Sequence, residues 1–125
     1  AIIIPKDRAV SVTATVKKVA CGAAEYTPVL TVTNLARTLR ILQQEGIWVF
    51  GAAGDASVDL YEQDFSVPMA LVLGAEGKGL RHITRKHCDQ LFRIPMAGNV
   101  ESLNISVAAS VCLYEAIRQR LPVRI

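Results

Sequence analysis

Met69-Ala70-Leu71-Val72-Leu73-Gly74-Ala75-Glu76-Gly77-Lys78-Gly79-Leu80 is the stretch on which the fold turns. Met69–Leu73 is an uninterrupted apolar run, the pattern of a strand covered on both faces in a parallel sheet. It feeds a glycine-rich loop carrying one acid, Glu76, and then a helix. Glycine tolerates positive φ and has no side chain, so such a loop lets backbone NH and CO groups approach a ligand closely. Two common ligand loops fail on spacing. A Walker A loop needs GxxxxGK followed by Ser or Thr, but Gly79 follows Lys78. A dinucleotide fingerprint needs GxGxxG, whereas Gly74, Gly77 and Gly79 are spaced GxxGxG, and Ile94 stands about 20 residues on where an acid is required. What remains is a ligand loop of another type or a tight strand-to-helix turn.

Outward from this loop, short β-branched runs alternate with helical stretches. Ile2–Ile4 reads as a buried strand, Ser11–Cys21 as a helix ended by Gly22, and Pro28–Val32 as a strand. Thr33 or Asn34 caps a helix with Leu35, Leu39 and Leu42 as its buried stripe, stopped by Gly46. Ile47–Phe50 is a strand. Gly51–Pro68 is the loosest region, with Gly51 among its turn residues and one helical turn near Asp59–Gln63. A basic helix over Leu80–His87, a strand over Gln90–Ile94 and a polar loop over Pro95–Leu103 lead to a final helix, Asn104–Arg120. This order predicts one α/β domain, 1–125, with a mostly parallel sheet and helices on both faces.

Composition agrees. At 125 residues the chain can bury a real core, and 51% hydrophobic against 20% charged residues excludes disorder as the main state. Only 6% are aromatic, so the core is expected to be aliphatic. With 14 Lys and Arg against 11 Asp and Glu, the net charge of +3 permits a nucleic-acid partner without requiring one. Three cysteines with no metal-type spacing predict no metal and no disulfide framework, and so a reduced, cytoplasmic setting. No apolar run reaches the ~20 residues of a membrane span, so no membrane partner is expected. The start at Ala1-Ile2-Ile3-Ile4, with no methionine, predicts that an upstream part is missing.

The second chemistry-bearing stretch is Arg93-Ile94-Pro95-Met96-Ala97-Gly98-Asn99-Val100-Glu101-Ser102-Leu103-Asn104. Loops at the carboxyl ends of parallel strands line the ligand crevice of open α/β sheets. Ser102 and Asn104 there can cap the final helix or position a polar substrate. The final helix carries one apolar stripe, Ile105, Ala108, Ala109, Cys112 and Ala116, and a second, Val107, Val111 and Tyr114. Two stripes predict burial on two sides, in a central core position or at a subunit interface.

Taken together, GAEGKGL and RIPMAGNVESLNISVAASVCLYEAIRQR resemble the second and third signature motifs of the SpoU (TrmH-like) RNA ribose 2′-O-methyltransferases. The lead-in, Ile2 through Gly54, is similar to the branch that modifies a guanosine of bacterial 23S rRNA. The resemblance implies a SPOUT-type fold with a C-terminal trefoil knot, S-adenosyl-L-methionine as cofactor, an rRNA substrate and a homodimer through the C-terminal helix. It implies that these residues are the C-terminal methyltransferase domain, truncated at its N-terminus. It assigns Gly74, Ile94, Met96 and Leu103 to the cofactor and Glu76, Ser102 and Asn104 to the catalytic site. The family's first motif, with an arginine that activates the ribose hydroxyl, has no counterpart in these residues. Asn34 and Arg37 match a later helix and do not inherit the role. The fragment alone is therefore expected to be inactive.

Methyl transfer to a hydroxyl needs alignment of the reacting atoms and help for a poor nucleophile. Glu76 is the only carboxylate in the glycine loop, and holding that loop through backbone NH groups is its competing role. Lys78, Arg81, Arg85 and Lys86 follow directly with no acid among them, as an RNA-phosphate track or as a solvated basic face. Two other classes stay open on the residues alone: a non-catalytic RNA-binding or dimerisation module, and a doubly wound nucleotide enzyme, against which the glycine spacing argues.

Overall fold

The computed structural model describes residues 1–6, 27–74, 80–97 and 104–122. The helix expected over Ser11–Cys21, the second half of the glycine loop and the stretch around Ser102 lie outside them. The chain divides into two compact units, Ala1–Thr38 and Leu39–Ile125.

In the first unit, β1 (Ile2–Pro5) pairs in parallel with β2 (Val29–Val32), Ile2 opposite Val29 and Pro5 opposite Val32. Ile2 and Leu30 are half exposed, so the fully buried strand expected at the start is not seen. The helix α1 (Leu35–Gln44) begins here. Asn34, not Thr33, caps it: its Oδ1 accepts from the Arg37 NH at 3.0 Å.

The end of α1 follows from Gly46, whose φ of +84° is left-handed. The Gly46 NH donates to Gln43 O and the Ile47 NH to Leu42 O, both at 3.0 Å, which is a Schellman closure. Ile47 is therefore spent on the helix end, and β3 runs over Trp48–Ala52, starting one residue later and ending two residues later than expected.

In the second unit β3 is central. It pairs in parallel with β4 (Met69–Val72) on one side and β5 (Gln90–Phe92) on the other. Phe50 lies opposite both Leu71 and Gln90, and Ala52 opposite Phe92. Every strand pairing among the described residues is parallel. Both outer strands end earlier than expected, β4 at Val72 opposite Gly51 and β5 at Phe92 opposite Ala52.

Strand alternation puts Phe50 and Ala52 on one face of β3 and Gly51 on the other. On the first face Phe50, Phe92, Leu60, Phe65, Cys112 and Ala116 form the core, with Met69, Leu71, Ile94 and Val111 packed against it. Cys112 and Ala116 belong to α3 (Ile105–Arg120). The core centre is aromatic, contrary to the aliphatic expectation. The three phenylalanines of the chain meet there edge to face, Phe50 to Phe65 at 5.0 Å and Phe65 to Phe92 at 5.6 Å. Each ring buries so much area that three suffice to fill one centre.

On the other face, a Cβ at Gly51 would come within 2.6 Å of Cys88 Sγ and 2.8 Å of Leu80 Cδ1. Gly51 is thus a packing glycine inside a strand, not a turn residue. Leu80 and Cys88 flank α2 (His82–Lys86), so helical segments cover both faces of this sheet. The helix α2 is shorter than the expected Leu80–His87, because Arg81 at its start is extended and no Ser, Thr, Asp or Asn stands there to cap it. The 3₁₀ turn Leu60–Glu62 fills the expected Asp59–Gln63 position. The surrounding segment is far from loose: Leu60 and Phe65 are fully buried.

Among the described residues no helix is long and apolar enough to cross a membrane. Nor does any group of three or more His, Cys, Asp or Glu come together to hold a metal.

Candidate active site

Because the three strands of the second unit are parallel, their carboxyl ends share one edge. With order β4-β3-β5, the chain leaving β4 at Leu73-Gly74 and the chain leaving β5 at Arg93-Ile94 emerge on either side of Ala52-Ala53. This edge is where open parallel sheets take ligands. Three residues expected to hold a cofactor, Gly74, Ile94 and Met96, thus stand at one edge, each half-buried. Ile94 packs on the core, and Pro95 restricts it to extended backbone. The remaining expected residues, Glu76, Lys78, Ser102 and Leu103, lie outside the described ones.

The exit of β5 is tied down strongly. The Ala53 NH donates to Phe92 O at 2.8 Å, the Arg93 NH to Val58 O at 2.8 Å, and the Leu60 NH to Arg93 O at 2.7 Å. Arg93 Nε also donates to Asp59 Oδ1 at 2.5 Å. Hydrogen bonding and the charge of Asp59, with Glu62 adding to it, raise the Arg93 guanidinium further above its ordinary value. Spacing could not reveal this pair, since the partners are 34 residues apart.

Asn104 is the N-cap of α3. Its Oδ1 accepts from the Ser106 NH at 2.9 Å and from Ser106 Oγ at 2.5 Å. Half of the alternative left open by the sequence is thereby met.

The basic stretch is less uniform than its sequence. Arg81 and Lys86 are exposed, but Arg85 is half-buried and paired with Asp55 at 2.9 Å. The acid missing from the local sequence is supplied by the loop after β3. His82 is exposed, and the His87 carbonyl accepts from Gln43 Nε2 at 2.7 Å. Cys88 and Cys112 are thiols pushed up to about 11 by burial, Asp89 adding to the effect on Cys88, so both are inert near neutral pH.

A cavity of about 230 Å³ lined by Gln43, Gly46, Ile47, Trp48 and Asp89 opens at the opposite, amino-terminal edge. Its carboxylate is occupied within the fold, accepting from the Val49 NH at 2.8 Å and from Gln43 Nε2 at 3.2 Å.

The site thus stands on a parallel α/β sheet whose glycine exit and Ile-Pro-Met exit flank its central strand. Residues 1–114 match the model of the SpoU rRNA Methylase family, and the chain belongs to that family. It is 61% identical over 120 residues to the 23S rRNA (guanosine-2′-O-)-methyltransferase RlmB of Pseudomonas syringae pv. tomato, a match covering 96% of this chain and 48% of that one. It is 64% identical over 120 residues to RlmB of Ralstonia nicotianae, with the same two coverages. The chain thus spans about half the length of the curated relatives it matches. Among solved structures, the AdoMet-bound rRNA methyltransferase from Sinorhizobium meliloti superposes with a TM-score of 0.85 at 28% identity, over 97% of this chain and 46% of that one.

Proposed function

We propose that this chain forms the methyl-transfer part of an enzyme that methylates a ribose 2′-hydroxyl in rRNA, with S-adenosylmethionine as donor and a guanosine of 23S rRNA as target. The observation that carries the reading is the 61% identity over 120 residues to an enzyme named for that reaction. The geometry supports it: Gly74, Ile94 and Met96, three of the four residues the family motifs assign to the cofactor, stand at the carboxyl edge of the sheet.

The described residues fit the cofactor. A purine ligand calls for apolar walls and backbone hydrogen bonds, and the half-buried Ile94, Met96 and Gly74 offer both kinds of contact. When bound, the cofactor supplies a methyl group activated by a sulfonium. Gly74 admits close approach to the backbone, and Ile94 and Met96 exclude water from the same edge. Asn104 presents an amide at the start of α3. Glu76 and Ser102 complete the polar set, and Leu103 the cofactor wall. Lys78, Arg81, Arg85 and Lys86 would meet RNA phosphates, Arg85 with its charge shared by Asp55.

The same proposal includes the trefoil knot of the family and a homodimer through α3. Val107, Leu113, Tyr114, Ile117 and Leu121 leave that helix an apolar face between 48% and 73% exposed, which supports the dimer.

Calorimetry with S-adenosylmethionine, and transfer of labelled methyl to rRNA, test the reading on a chain extended to the length of the relatives. Binding and labelling are expected there, and no labelling from the 125 residues alone. Absence of both from the extended chain would sink the proposal. RNA retention without cofactor dependence would favour a non-catalytic RNA-binding module instead.

A further inference from the structure

Arg93 sits between two fully buried side chains, Phe92 before it and Leu60 across from it. Both of its backbone polar groups are taken at the entry to the 3₁₀ turn: its NH by Val58 O, its carbonyl by the NH of Leu60, the turn's first residue. Asp59 and Arg93 form an isolated parallel bridge, one rung beyond the end of the sheet. Ile94-Pro95-Met96 follow directly on this rung. The ion pair from Arg93 Nε to Asp59 Oδ1 adds a side-chain tether to the rung. Asp59 is held in turn, since its NH donates to Glu62 Oε1 at 3.4 Å across the 3₁₀ turn.

An ion pair in this position adds little to global stability. Its side chains are 50% and 31% exposed, and exposed pairs contribute little. It stands on the one segment that carries two cofactor-edge residues, where small displacements matter most. We propose that Asp59 and Arg93 are positioning residues for the cofactor site, locking the exit of β5 so that Ile94 and Met96 are set before the ligand arrives. This rests on the cofactor assignment above. Neither residue touches the cofactor. They act by reducing the number of conformations the wall must give up on binding.

Titration calorimetry with S-adenosylmethionine on the extended chain separates affinity from the fraction of competent molecules. Asp59→Ala and Arg93→Ala are each expected to raise the cofactor Kd about fivefold, with the binding stoichiometry and melting temperature near wild type. The double variant should be no worse than either single one, because both changes cut one tether. Asp59→Asn keeps an acceptor oxygen and should recover most of the affinity. If Asp59→Ala does not fold, Arg93→Ala, which cuts the same tether, carries the test alone. A Kd within twofold of wild type in both alanine variants would overturn the proposal. So would a loss of stoichiometry at unchanged Kd, the mark of a merely structural pair, or additive losses in the double variant. A wild-type protein that binds no cofactor overturns the cofactor assignment itself, and the positioning role with it.

Discussion

Asn104 shows at the residue scale how one side chain can satisfy a structural rule and still be available for chemistry. Its Oδ1 is committed to the first turn of α3, while its amide nitrogen is the part the cap does not use. The two roles separate by substitution. Asn104→Ala should destabilise by about 1 kcal/mol, read from a urea midpoint, because the Ser106 NH loses its acceptor. Asn104→Asp keeps the acceptor and places a negative charge at a helix N-terminus, so its midpoint should match wild type. If the amide orients substrate, methyl transfer by the aspartate variant falls tenfold or more at unchanged stability. Full activity in that variant would leave Asn104 a cap alone. The cap itself was legible, since an asparagine before an apolar periodic run is a helix start. Gly51 was misread, because nothing local separates a glycine that turns the chain from one that admits Cys88 and Leu80 against a strand.

At the scale of elements, α3 is stapled to the segment after the 3₁₀ turn by a polar network. Gln119 accepts from the Phe65 NH at 2.6 Å and donates to Gln63 O at 2.8 Å, while Arg120 donates to Phe65 O at 2.9 Å and Val67 O at 2.7 Å. Glu115, buried, anchors this side of the helix. Its carboxylate accepts from Arg118 Nε at 2.5 Å and Gln119 Nε2 at 2.9 Å. The Arg118 hydrogen bonds hold its carboxyl below the usual value of 4.5. A carboxyl lowered on folding contributes stability that is fully present above its unfolded value and lost as pH falls through the folded one. Glu115→Gln should therefore lower the melting temperature at neutral pH, though only slightly given how exposed Arg118 is. The gap from wild type should hold down to about pH 4.5 and close below it. A gap that is constant from pH 7 to pH 3 would show that charge is not what Glu115 provides. The helix was readable from its stripes. The bonds from Gln119 and Arg120 to Gln63, Phe65 and Val67 were not, because those partners are more than 50 residues apart.

For the whole molecule, the second stripe of α3 matters most. The sequence placed Val107, Val111 and Tyr114 on it. The fold turns Val111 inward onto the core and leaves Val107 and Tyr114 outside, joined by Leu113, Ile117 and Leu121. If this face carries the proposed dimer, Leu113→Asp with Ile117→Asp should halve the mass found by sedimentation equilibrium, with the core intact. Both side chains are about half exposed, so the charges enter water in the monomer and are buried only in the dimer. An unchanged dimer mass would move the interface elsewhere.

By itself the sequence determined the order and type of the elements among the described residues, the parallel α/β class and the family, because periodicity, caps and contiguous motifs are local and survive being read along one dimension. It also marked the two loops proposed to carry the chemistry. Only tertiary structure decided that three phenylalanines would form the core, that Arg85 would meet Asp55, and that Arg93 would be locked to Asp59 beside Ile94. Those contacts join distant segments at the end of a sheet, and their partners are chosen by strand order and register, which no local pattern encodes.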